Sequence, residues 1–383
     1  MTAEPPRSEN ELDSRLSEPS AATVAALARV PGDLVILGAG GKMGPTLARM
    51  AVRAFASVGA ASDRRVIAVS RFSAPSETSR AVSREANEQR TTLAMDTESD
   101  WRESDTESER RESDPESELR RAGVETIRCD LLDRAAVSRL PDAANVVFMA
   151  GQKFGTSDTP SRTWMMNVVV PSICAERYAS SRFVVFSTGN VYPLVTLAAG
   201  GARETDAVGP VGEYASSCVG RERVFEHYAV SAGTLVATMR LNYAIDLRYG
   251  VLTDLATSVM RGAPISLSMG HVNVIWQRDA NRAALELLPH AASPPFVVNV
   301  TGAATLRVRD IAEALGRRLG RAPRFEGTES HDALLSDTTR MRSLLGPSSM
   351  ELETMLDWVA DWVKSGRRLL RKPTRFDARD GKF

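Results

Sequence analysis

Five short apolar runs punctuate the first half of the chain, at residues 33–38, 64–70, 124–130, 145–151 and 182–188, each ending at glycine or a short polar residue. Residues 44–60, between the first two, carry apolar side chains at three- and four-residue spacing, the period of a helix packed on one face. Strands that are apolar without interruption are buried on both faces, so their alternation with helices predicts an α/β fold with a doubly wound parallel sheet. Beyond Tyr192 the alternation loosens. From Asn242 the pattern predicts a smaller α+β portion, strand-like at 272–277 and 296–302, with helices over 307–320 and 351–370. Trp358 and Trp362 stand at i and i+4 in the last of these, which predicts core packing for both. At the other end, residues 1–20 are polar and predict a loosely ordered arm, followed by a short amphipathic stretch that Pro31 and Gly32 terminate.

One segment breaks the rhythm. Residues 97–118 repeat Glu-Ser pairs starting at Glu98, Glu103, Glu107, Glu112 and Glu116, and their ten acidic residues against three arginines give −7. Such a segment buries too little apolar area to offset its ordering entropy, which predicts a disordered insertion with flanks from Ser73 to Arg121 partly mobile. Over the whole chain 48 basic and 48 acidic side chains cancel, which argues against nucleic acid or an anionic membrane as partner and for a small molecule. The N-terminus lacks the basic start and apolar run of a signal peptide, and no apolar stretch approaches about 18 residues, so a cytoplasmic protein is expected. Cys129, Cys174 and Cys218 lack the spacing of a disulfide framework or zinc site, and His227, His271, His290 and His331 show no ligand spacing, so no metal is expected.

Candidate chemistry begins at the loop after the first strand, where Gly38, Gly40, Gly41, Lys42, Met43 and Gly44 fall in GAGGKMG. The strand must turn sharply there, backbone must approach a pyrophosphate, and the helix must pack against the strand; glycine meets each demand by lacking a Cβ. Free N–H groups at the helix start then receive phosphate charge, so residues 33–240 are read as a dinucleotide-binding domain. At the end of the second strand an acidic residue would bind the ribose hydroxyls of NAD. Here Ser70 is followed by Arg71, and with Lys42 as a second cation the site slightly favours NADP over NAD. Alternatively, Arg71 stacks on adenine or faces solvent.

Three further stretches follow in order: MAGQKFG from Met149, STGNVYP from Ser187 and EYASSCVGRE from Glu213. Together with the glycine loop they resemble the extended short-chain dehydrogenase/reductases, the NAD(P)-dependent epimerases and dehydratases, over roughly residues 33 to 365 apart from the insertion. The resemblance implies a Rossmann-type sheet, with residues 241–383 mainly binding substrate and some of their segments returning to the sheet. It places Thr188 and Tyr214 in the catalytic pair, and Asp130-Leu131 against adenine. Ala150, Gly151 and Lys153 come near the nicotinamide ribose, and Asn167 lies on the helix before the fifth strand. Asn190 and Asn242 fall in the substrate region, and a helix-bundle homodimer is possible. Tyr214 would accept a substrate hydroxyl proton, Thr188 would hold the developing alkoxide, and hydride would pass to the nicotinamide.

The chain departs from this family at one position. Four residues after Tyr214, where a lysine stabilises the phenolate, stands Cys218. Three readings are open: another cation, foremost Lys153, substitutes; Tyr214 is not the base; or the protein binds cofactor without turnover. The expected function is NAD(P)-dependent oxidoreductase or epimerase chemistry on a sugar, sugar derivative or nucleotide sugar, and the alternative is a catalytically impaired cofactor-binding sensor or scaffold.

Overall fold

The structure, a computed structural model, describes residues 4–58, 64–72, 115–156, 158–372 and 374–382. Seven strands form the central sheet: β1 (Leu34–Leu37), β2 (Val66–Ser70), β3 (Glu125–Arg128), β4 (Asn145–Phe148), β5 (Arg182–Thr188), β6 (Leu235–Leu241) and β7 (Phe296–Val300). Their order is β7-β6-β5-β4-β1-β2-β3, and every neighbouring pair is parallel. The chain winds outward from β1 to β3 and resumes on the other side at β4. The reversal between β1 and β4 opens a crevice at the carboxyl ends of the strands, where ligands bind in such sheets.

Alternate residues of one strand enter opposite cores. Leu34 and Ile36 pack in one layer with helix Gly44–Ser57, whereas Val35 and Leu37 pack in the other with Phe148, Phe183 and Phe225. Both faces are dry, which is why the strands read as unbroken apolar runs. A third core joins helices Val251–Arg261, Val308–Leu319 and Leu352–Lys364, and Trp358 and Trp362 lie inside it as their spacing predicts. Helix Gln277–Glu286 and β7 leave this portion to pack on the sheet.

Two expectations change. The N-terminal arm is ordered from helix Glu9–Leu16 onward. Leu12 and Leu16 are fully buried in the third core, and Asp13 pairs with Arg248 at 2.8 Å. A second helix, Ala21–Ala28, follows as the amphipathic stretch predicts. The acidic repeat lies outside the described residues except for its last four, which open helix Pro115–Arg121. Glu116 is buried there between Arg120 and Arg128, at 2.5 Å from each, so this end of the repeat is packed through charge and needs no apolar area.

Candidate active site

The glycine loop joins β1 to helix Gly44–Ser57. Gly38 adopts φ +90°, and a Cβ on it would lie 2.6 Å from the backbone of Ala150 after β4; on Gly44 a Cβ would lie 2.2 Å from the Ala39 carbonyl oxygen. These two glycines weld strand, loop and helix together. On Gly41, by contrast, a Cβ would meet only the Gly38 carbonyl at 3.4 Å. The amides of Gly40, Lys42 and Met43 make no hydrogen bond among the described residues, no side chain caps the helix, and its first turn carries no acid. Orphan donors at the positive end of a helix are a receptor for phosphate, so the loop fits a dinucleotide pyrophosphate.

At the end of β2, the Ser70 hydroxyl lies where a Cβ on Gly40 would come within 2.6 Å, and Arg71 is exposed. Lys42 does not join it. Its ammonium donates to the Ala244 carbonyl at 3.3 Å and lies 3.8 Å from the centre of the Tyr249 ring, and burial lowers its pKa to about 8. In this structure the lysine is thus drawn to a carbonyl and an aromatic face of the C-terminal portion and does not stand with Arg71. Asp130 is exposed with its carboxylate accepting from the Leu132 amide, while Leu131 is buried in the sheet layer.

Thr188 ends β5, and Tyr214 lies in the first turn of helix Gly212–Ala232. The Tyr214 phenol is hydrogen-bonded to the side chains of Thr188 and Cys218. Burial pushes its pKa far above the ordinary phenol value, and the nearby thiol adds to the rise. Burial also raises the Cys218 pKa, so this residue is a neutral thiol and brings no charge to the phenol. The Thr188 hydroxyl donates to the Asn190 side chain at 3.0 Å. Asn242 is buried and donates to the Leu334 carbonyl at 3.3 Å, so its amide supports the site's wall.

Lys153 arrives from the loop after β4 with its ammonium 6.0 Å from the centre of the Tyr214 ring, and burial lowers its pKa to about 8. That ammonium donates to the carbonyl of Thr374 at 3.5 Å, whose own amide and hydroxyl are held by Asp254 at 2.8 and 2.6 Å. From Thr374 the C-terminal segment passes Tyr243, which donates to the Phe376 carbonyl, and reaches Gly212, where a Cβ would meet the Gly381 carbonyl at 2.5 Å. Residues 374–382 thus wall the site from Lys153 to the start of the tyrosine helix. Nothing in their composition announced this.

Arg221 was missed as well. It follows Tyr214 by seven residues, two turns of the same helix, and its guanidinium donates to the Phe186 carbonyl at 2.7 Å and to Asn167 Oδ1 at 2.8 Å. Gly151 makes room for it, since a Cβ there would lie 2.3 Å from Arg221 Nη2. Asn167 is fully buried in a π-helical turn, Met165–Val169, and bonds the backbone of Gln152 through both amide atoms and the Ser217 hydroxyl through its nitrogen. Such turns are frequent at functional sites. The readable signal was the i, i+7 spacing of a cation from the tyrosine.

Among the described residues no three His, Cys, Asp or Glu side chains are grouped to hold a metal, and no helix is long and apolar enough to cross a membrane. No curated protein matches the chain. Among solved structures the chain is similar to MoeE5 in complex with UDP-glucuronic acid and NAD, at 18% identity and TM-score 0.63 over 88% of this chain and 100% of that one. It is also similar to the UDP-glucose 4-epimerase of Thermotoga maritima, at 16% identity and TM-score 0.61 over 87% and 99% of the two chains. The UDP-glucuronic acid 4-epimerase of Bacillus cereus, in complex with UDP-glucuronic acid and NAD, gives 18% and 0.62 over 87% and 99%. At these identities the likeness is one of fold. The model of the NAD dependent epimerase/dehydratase family, however, matches residues 34–245, more than half of the sequence. With the glycine loop, β5 and the tyrosine helix all inside that span, the chain belongs to the NAD-dependent epimerase/dehydratase family.

Proposed function

We propose that this protein is an NAD(P)-dependent oxidoreductase or epimerase acting on a hydroxyl or keto group of a sugar, sugar derivative or nucleotide sugar. The observation that carries the reading is the Tyr214 phenol bonded to Thr188 at the carboxyl end of β5, in the crevice that the glycine loop opens. The loop amides of Gly40, Lys42 and Met43 would hold the pyrophosphate, and Gly151 and Lys153 would border the nicotinamide ribose. The nicotinamide, when bound, supplies a hydride acceptor or donor. Tyr214 takes the proton of the substrate hydroxyl, the Thr188 hydroxyl donates to the developing alkoxide, and the C-terminal wall keeps water away. The nucleotide-sugar option draws support from the ligands named for the similar structures, UDP-glucuronic acid and UDP-glucose. A homodimer belongs to the same proposal; Trp164 and Met165, large and apolar, are exposed on the helix carrying Asn167. The test is incubation of the cofactor-loaded protein with sugars, sugar acids and nucleotide sugars, following nicotinamide absorbance and epimer formation. Binding of cofactor with no change in any substrate favours the second reading, a cofactor-binding sensor. The neutral Cys218 beside the phenol is the observation on that side.

For the cofactor we propose NADP in preference to NAD, on Arg71 alone now that Lys42 is turned elsewhere. Arg71→Ala is expected to weaken NADPH binding about tenfold or more and leave NADH binding within about twofold, because only NADPH offers a 2′-phosphate to the guanidinium. Equal losses in a fluorescence titration of both cofactors would remove the preference.

Lys153 makes the rate depend on pH. With its pKa lowered to about 8, the ammonium is charged below that pH and loses its proton above it. Whatever part of kcat depends on that charge therefore declines as pH rises through about 8. Lys153→Arg, which stays charged, is expected to hold the alkaline limb, and Lys153→Met to remove the step. A wild-type kcat profile without a step between about pH 7 and 9 would contradict this role.

A further inference from the structure

We infer that the buried guanidinium of Arg221 is the fixed positive charge that replaces the family's missing lysine and stabilises ionised Tyr214. The inference rests on the reading of Tyr214 as the base. Arg221 is only 6% exposed, yet it has no carboxylate within ion-pairing distance among the described residues, and its Nε has no acceptor there. The adjacent carboxylate, Glu222, is committed to Arg240 through both oxygens, at 2.7 and 3.0 Å. A buried cation with only neutral partners is disfavoured relative to an apolar side chain of similar size. The neutral partners nevertheless hold it firmly: the Phe186 carbonyl, two residues before Thr188 on β5, and Asn167 in its π-turn. Packing alone does not require a charge at this place; a neighbouring anion does.

The group beside it that can become an anion is the Tyr214 phenol, two turns earlier on the same helix. The charged and titratable groups around Tyr214 are Cys218 and Arg221 on its own helix and Lys153 from the loop after β4, while Thr188 approaches from β5 as a neutral partner. Glu222 is neutralised by Arg240, and Glu213 accepts from the Trp164 indole at 2.6 Å. Arg221 is the group whose charge favours the ionised phenol, against burial and the thiol, which oppose it. Lys153 is less suited to the task. Its ammonium faces the ring, donates to Thr374 and titrates near 8, whereas a guanidinium keeps its charge throughout the working range. Arg221 touches neither substrate nor cofactor in this scheme; it acts through the tyrosine.

The test reads the phenol directly. The full-length protein, labelled with 3-fluorotyrosine and saturated with NAD+ or NADP+, is titrated by 19F NMR, with the Tyr214 resonance assigned by its loss in Tyr214→Phe. Arg221→Gln is expected to raise the midpoint of that resonance by about one pH unit or more, as loss of a cation beside an acid does. Lys153→Met is expected to shift it less, and Arg221→Lys to restore most of the wild-type value. Arg221→Met removes the charge without burying a new polar group and serves the same purpose should Arg221→Gln not fold. An unshifted midpoint without the Arg221 charge, or a wild-type Tyr214 that stays neutral to about pH 11, would overturn the inference. The titration needs no turnover. Inactivity toward every sugar would therefore sink the functional reading and leave this one standing, whereas an unshifted titration in an active enzyme would sink this one alone.

Discussion

Replacing Tyr214 by phenylalanine is expected to lower kcat by about 10²- to 10⁴-fold, the usual contribution of a positioned acid or base. The ring stays, so its packing against Lys153 and the helix stays, and only the oxygen bonded to Thr188 and Cys218 is lost. Cofactor affinity is expected to change less than about threefold, because the unpartnered amides of Gly40, Lys42 and Met43 proposed to hold the pyrophosphate are on another element. A KM that rises while kcat holds would assign the hydroxyl to substrate binding in place of proton transfer.

The largest expected effect on stability lies behind the site. Glu222 and Arg240 form a buried pair, 8% and 7% exposed, and each is fully engaged: Ser187 donates to Glu222 at 2.5 Å, and Arg240 donates to the Tyr192 oxygen at 2.6 Å. Tyr192 in turn donates to Asn299 at 2.9 Å, tying β5, β6, β7 and the tyrosine helix together. Arg240→Met leaves a carboxylate buried without its partner, so it is expected to cost about 3–5 kcal/mol in urea unfolding. The double variant Glu222→Leu, Arg240→Met removes both charges and is expected to recover a large part of that loss. A loss below about 1 kcal/mol for Arg240→Met alone would show that the pair is not sealed from water.

The sheet was legible because its strands are apolar on both faces, and the tight turn from β1 into its helix because Gly38 and Gly44 have no room for a side chain. Thr188, Tyr214 and Lys153 were legible as members of an ordered series of motifs, and the structure brings the three together. What escaped prediction depends on partners distant in sequence. Helix Glu9–Leu16 reads as polar, yet Leu12 and Leu16 meet the helices of the C-terminal portion and Asp13 meets Arg248. Glu116 reads as one acid in a solvated repeat, but Arg128 from β3 converts it into a buried ion pair. Lys42 belongs to the glycine loop in sequence and to Ala244 and Tyr249 in space. Arg221 stands one turn beyond Cys218 on the tyrosine helix, and its burial depends on Phe186 and Asn167, which other elements bring to it.

If Tyr214 is the base, it drives hydride exchange between a sugar carbon and the nicotinamide. The most direct measurement is a single turnover with a substrate deuterated at the reacting carbon, followed by mass analysis of the cofactor. Wild-type protein quenched during the turnover is expected to carry deuterium on the nicotinamide, transiently where an epimerase returns it to the sugar, and Tyr214→Phe to lower the rate of its appearance by about 10² or more. Deuterium lost to solvent while the substrate is converted, or transfer at the wild-type rate in Tyr214→Phe, would contradict that role.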